Sequence, residues 1–158
     1  MERLSQARGF TLIELIMVIT IGVILAIVVH LKWSNLSIDL HAQAALLATD
    51  IRYTQNLSMT QHQKFRLAKI SSNTYQIQDG NNNPVTIPSR DTTTTLGRGI
   101  TFGTLSGITN KIIFDSKGTP YNDATPSVPI TNSVIIRLIS KGEIVDIIIY
   151  PETGRVTP

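Results

Sequence analysis

The sequence predicts an α+β protein: one long N-terminal helix, then an antiparallel, sandwich-like β head. Three observations predict it. An apolar run at 10–31 contains a single charged side chain, Glu14. Beyond it, apolar residues recur at helical spacing to Leu57, and neither Gly nor Pro occurs between Val23 and Gln63. From Lys64 onward the texture changes to short alternating runs divided by turn residues, the period-two pattern of strands.

The apolar run comes first because it sets the class of protein. As a helix rising ~1.5 Å per residue, it reaches the ~30 Å needed to cross hydrocarbon. A soluble helix would break such a run with polar residues at its own period, so 10–31 reads as a membrane span. Arg3 and Arg8 precede it, and the bias of basic residues toward the cytoplasmic side puts the N-terminus there and the head across the membrane. Lys32 and Trp33 follow it, a snorkelling lysine and an interfacial aromatic. An ordinary secretory signal has a shorter apolar core and a small-residue cleavage site after it.

Glu14 is the anomaly in this helix. A carboxylate there costs roughly 2.5–3.5 kcal/mol on insertion scales and calls for a partner. Gly9 before the aromatic Phe10, with basic Arg8 ahead, reads as a processing point. A cut between Gly9 and Phe10 would free an α-amine, which titrates near ~7.7–8.0 while a glutamate titrates near ~4.3. At neutral pH the two groups carry opposite charges. Within one helix the amine points away from its own Glu14, so the matching partner is a neighbouring subunit.

Through Gly9-Phe10-Thr11-Leu12-Ile13-Glu14-Leu15 and the short basic leader, the chain resembles the type IV pilin-like family, the pilins and the pseudopilins of type II secretion. The resemblance implies that a prepilin peptidase cleaves after Gly9 and that the new N-terminal Phe10 is methylated. It further implies pairing of Phe10 and Glu14 between subunits, other pilins or pseudopilins as filament partners, and an inner-membrane assembly platform. Many pilins carry a proline where this chain has Leu31, so the kink that proline makes is not expected here.

The expected organisation is a leader at 1–9, a transmembrane half-helix at 10–31, an amphipathic half-helix at 32–62 and a β head at 63–158. At 158 residues there is room for one domain beyond the helix, and a formal charge of +3 is a weak basis for nucleic-acid binding. There is no cysteine, so the core must hold the head in an oxidising space without staples. In the second half-helix, Leu36, Leu40, Ala44, Leu47, Ile51 and Leu57 form one stripe, with Asp39, Gln43, Asp50 and Arg52 set off it.

Strands are expected at 64–70, 74–78, 85–87, 99–103, 111–115, 133–140 and 143–150, with loops at 79–84 and 120–129. Lys141-Gly142 reads as a tight hairpin. Its two strands are apolar on both faces, which predicts a central hairpin covered on both sides. The head resembles the GspH/FimT-type minor pseudopilins and minor pilins in the 42–59 helix segment, in Ile112-Ile113-Phe114-Asp115-Ser116-Lys117-Gly118, and in the 145–150 strand with Thr153-Gly154-Arg155-Val156. That branch implies a two-sheet head. Some of its members bind DNA through a C-terminal Gly-Arg-x-Arg motif, of which Gly154 and Arg155 are present while Thr157 stands at the second arginine. Arg137, Lys141 and Arg155 are the candidate DNA contacts; Arg90, Arg98, Lys111 and Lys117 would join them only by converging on one face.

Other chemistry finds no support. His30, His41 and His62 lack ligand spacing, so no metal or other cofactor is expected. Asp79, Asn81 and Asn83 alternate oxygens as calcium loops do, but no Glu closes the set and a plain turn is the expectation. No nucleophile–base arrangement assembles, and the chain is not expected to be an enzyme.

Overall fold

The computed structural model describes residues 11–33, 35–87, 90–97, 99–123 and 127–158, without the side chains at 28–38. The chain forms two compact units, Met1–Asn35 and Leu36–Pro158.

The first unit contains α1, Leu12–Trp33. Thr11 begins it: its hydroxyl accepts the Glu14 backbone N–H at 3.3 Å and its carbonyl accepts that of Leu15 at 3.2 Å. This is N-capping, and Thr11 with Glu14 three residues on has the spacing of a capping box. Every side chain at 12–27 is exposed. Since apolar residues occupy all sides, no amphipathic face exists to bury against a core.

The second unit contains α2, Asn35–Gln61. Leu40, Ala44, Leu47 and Ile51 are fully buried, so the stripe forms as expected; Leu57 is half-buried and Leu36 lies outside the described side chains. The helix stops where His62 turns left-handed at φ 51°. The set-off group needs a correction: Asp50 is buried at 2% exposure. Asp50, Thr54 and Ser58 make a second, polar buried stripe at four-residue steps. The two hydroxyls are satisfied by donating to the carbonyls of Asp50 and Thr54.

The strands are β1 (Phe65–Lys69), β2 (Thr74–Gln78), β3 (Thr93–Thr95), β4 (Thr101–Ser106), β5 (Lys111–Phe114), β6 (Pro120–Asn122), β7 (Val134–Ser140), β8 (Glu143–Ile149) and β9 (Val156–Thr157). They form two antiparallel sheets, ordered β3-β2-β1-β5-β6 and β4-β7-β8-β9. The chain passes from the first sheet to the second at β4, returns at β5, and finishes in the second. One core cluster joins α2 (Leu40, Leu47, Ile51) to the first sheet (Leu67, Tyr75, Ile112, Phe114) and the second (Phe102, Ile136, Leu138, Ile147, Ile149). The α+β, two-sheet expectation holds.

Three local expectations do not. Residues 85–87 form no strand: Pro84 makes an isolated bridge to Gln78, and Val85 donates one bond to Ile77. A proline lacks the N–H that would carry the ladder on. The place beside β2 goes to Thr93–Thr95, whose β-branched residues suit a pleat without apolar alternation. The 120–129 loop begins as a strand, β6, with Pro120 in the first position, where its missing donor is tolerated. The β7–β8 hairpin is central, but only one face is fully buried. Ile135, Ile139 and Ile148 are half-buried and Ile144 is 54% exposed. Its turn is as expected, with Lys141 at φ 46° and Gly142 at φ 89°, both positive as a type I′ turn requires.

Candidate functional site

In the N-terminal unit, Gly9 and Phe10 lie outside the described residues, and Glu14 sits in the first turn of α1 with its backbone held by the Thr11 cap. A glutamate there is favoured by the positive end of the helix dipole. The carboxylate is exposed, the one charged group on an otherwise apolar exposed cylinder at 11–27. Among the described residues no helix is long and apolar enough to cross a membrane, and the side chains of α1 beyond Ile27 lie outside them.

In the head, the three cations considered for DNA lie apart. Arg137 on β7 is engaged by Asp146 opposite it on β8, through two hydrogen bonds of 2.7 Å. That fork holds the Asp146 carboxyl below its ordinary value and raises Arg137 further. Lys141 is in the hairpin turn. Arg155 lies over the Tyr150 ring at 4.4 Å, past the other end of the hairpin. Six strand residues at ~3.3 Å each separate those ends by about 20 Å.

Two of the glycines in the head motifs do come together. Gln55 on α2 donates to the Gly118 carbonyl at 2.9 Å and the Thr153 carbonyl at 2.8 Å, and Arg52 donates to Val156 at 2.8 Å. A side chain on Gly154, which sits at φ 63°, would begin 2.5 Å from Gln55 Nε2 and 2.9 Å from the Gly118 carbonyl. The Asp115–Gly118 turn and the C-terminal loop are thus fastened to one helix face. Asp115 organises the turn by accepting from Lys117, Thr119 and the Tyr121 hydroxyl.

Two clusters escaped the sequence reading. In the first, buried Asp50 accepts the Tyr75 hydroxyl at 2.6 Å and Arg90 Nη1 at 2.8 Å. Burial, then the hydrogen bond to Asp50, pushes the Tyr75 hydroxyl far above its ordinary value. In the second, Lys64, Arg66, Lys111, Ile113 and Asp123 line a concavity of about 430 Å³. Neither could be found from spacing, because the partners lie tens of residues apart. The Asp79 loop is a turn: Asp79 accepts from the Asn81 and Asn83 backbone N–H groups and the Asn83 amide. Those bonds, the Asn83 side chain's first, hold its carboxyl below the ordinary range. Among the described residues no three His, Cys, Asp or Glu side chains gather as metal ligands would.

Residues 4–29 match the family described as the prokaryotic N-terminal methylation motif. Compared by sequence with curated proteins, the chain matches none. Similar solved structures include the type IV minor pilin FimU of Pseudomonas aeruginosa, with 14% identity and a TM-score of 0.55 over 75% of this chain and 86% of that one. Another is the minor pseudopilin EpsH from the Type 2 Secretion System of Vibrio cholerae, with 12% identity and a TM-score of 0.56 over 75% of this chain and 94% of that one. The chain thus carries an N-terminal methylation motif and shares its fold with these two minor subunits.

Proposed function

We propose that this chain is a minor pilin or pseudopilin: a structural, non-enzymatic subunit of a type IV pilus or a type II secretion pseudopilus. The observation that carries the reading is α1, an exposed apolar helix whose one charged group at 11–27, Glu14, lies within a methylation motif. Such a helix finds no partner surface in its own unit, so lipid or other copies of such a helix must cover it. Prepilin peptidase removes the leader after Gly9, and Phe10 becomes the methylated N-terminus. The segment at 10–31 holds the subunit in the bacterial inner membrane, N-terminus in the cytoplasm and head in the periplasm, until the assembly platform extracts it. Because burial of an apolar run in hydrocarbon is favourable, extraction needs an external drive. In the filament, the Phe10 amine of one subunit faces Glu14 of another.

The test is mass spectrometry of the mature protein together with two variants. The mature chain should begin at methylated Phe10, and replacing Gly9 should leave the leader attached. Glu14→Ala should insert and be cleaved, yet enter filaments roughly tenfold less or worse, since about 1.4 kcal/mol is a factor of ten in an equilibrium. A mature chain still carrying Met1, or undiminished incorporation of the Glu14 variant, would overturn the proposal.

A further inference from the structure

We propose that the concavity lined by Lys64, Arg66, Lys111, Ile113 and Asp123 is a docking site for an acidic peptide segment of a neighbouring subunit. The inference rests on the filament reading. Arg66 on β1 and Lys111 on β5 are half-buried and alternate with Phe65, Leu67 and Ile112, which are buried. The two cations therefore stand on the outward side of the first sheet. Arg66 Nη1 donates to Asn82 Oδ1 at 2.7 Å and Lys111 Nζ donates to the same oxygen at 3.0 Å, while Arg66 Nη2 bonds the Gly80 carbonyl. Two positive nitrogens are thus held no more than about 6 Å apart by a neutral amide oxygen. Like charges that close repel, and an anion placed between them turns the repulsion into attraction.

Among the described residues, the one carboxylate lining the concavity is Asp123, and it is committed elsewhere. Asp123 accepts the Thr109 and Asn110 backbone N–H groups, one on each oxygen, at 2.8 Å. Asp79, which feels the charge of Arg66, is bonded within its own turn. Lys64 lines the same concavity, with its ammonium 5.4 Å from the Tyr121 ring centre. The three cations lining this opening of about 430 Å³ outnumber its one lining carboxylate, Asp123, while Asp79 and Asp115 outside the lining are bonded within their own turns. That matches a carboxylate side chain, whose charge-assisted bonds outmatch those of the Asn82 amide. A nucleic-acid strand would need cations continued along a track. Here Arg137 is spent on Asp146, and Lys141 and Arg155 belong to the other sheet's hairpin and its flank.

The experiment uses the full chain in nonionic detergent at low salt, with fluorescence anisotropy of a labelled oligoglutamate peptide. Binding should weaken roughly tenfold in Lys111→Gln and in Arg66→Gln, the loss of one charge-assisted bond. Lys117→Gln, the same charge change on another turn, should leave binding intact, and Lys111→Arg should restore it. Lys111→Gln gives up a single bond to the loop, so it remains informative if Arg66→Gln unfolds. An absence of binding, an equal loss in Lys117→Gln, or tighter binding of oligothymidylate than of oligoglutamate would each overturn the proposal. None of these results touches leader cleavage or the Glu14 phenotype, so the two readings fail separately.

Discussion

Asp50 shows what a single residue does in this head. It is almost fully buried yet holds two donors, Tyr75 from β2 and Arg90 from the segment before β3. Its bonds tie α2 to the first sheet at a point where the helix presents polar rather than apolar side chains. Removing one donor leaves a buried carboxylate short of a bond, so Tyr75→Phe should cost about 1–3 kcal/mol. Removing the carboxylate orphans the buried Tyr75 hydroxyl and leaves a gap, while Arg90, about a third exposed, turns to water, so Asp50→Ala should cost at least as much. Thermal or urea unfolding of both variants checks the order. A Tyr75→Phe variant less stable than Asp50→Ala would show that the hydroxyl serves something other than Asp50.

At the scale of elements, the β7–β8 hairpin is held by its turn, its buried inner row and one ion pair on its outer face. The inner row, Val134, Ile136, Leu138, Val145, Ile147 and Ile149, supplies most of the stabilisation through burial. The Arg137–Asp146 fork adds less, since both side chains keep about a third of their surface in water. Its contribution has a definite pH signature. Hydrogen bonds from Arg137 hold the folded Asp146 carboxyl below its ordinary value. The stability it adds is therefore complete above the unfolded aspartate range, and it is lost as pH falls through the lower, folded value. Asp146→Asn should cost about 0.2–1 kcal/mol near neutrality and make the melting temperature less sensitive to acid below the ordinary aspartate range. Equal acid sensitivity in the two proteins would place the titration elsewhere.

For the molecule as a whole, the two units divide the work. Among the described residues, every member of the core cluster lies within the second unit, Leu36–Pro158. A chain restricted to Leu36–Pro158 should therefore fold alone and unfold in one cooperative transition, with a stability on the order of 5–15 kcal/mol. Circular dichroism during urea titration measures this, and a broad, non-cooperative loss of structure would count against it. If the chain is the filament subunit proposed above, the same truncation should abolish filament entry, since it discards the helix and Glu14.

Local pattern was enough to write much of this structure from the residues alone. The apolar run of α1, the stripe of α2, the strands β1, β2, β5, β7 and β8, and the Lys141-Gly142 turn all depend on neighbours within a few residues, where periodicity and turn chemistry act. The N-terminal motif is legible for the same reason, being contiguous. Other features were settled only by folding. Spacing alone set Asp50 off the buried stripe, and only the approach of Tyr75 and Arg90 gives its buried carboxylate partners. The edge of the first sheet went to a run of threonines rather than to 85–87 because Pro84 cannot donate to a ladder. Arg66, Asn82 and Lys111 meet because β1 pairs with β5 across an intervening hairpin and loop. Such contacts join groups far apart along the chain, and which distant groups meet is decided by strand pairing and by the shared core.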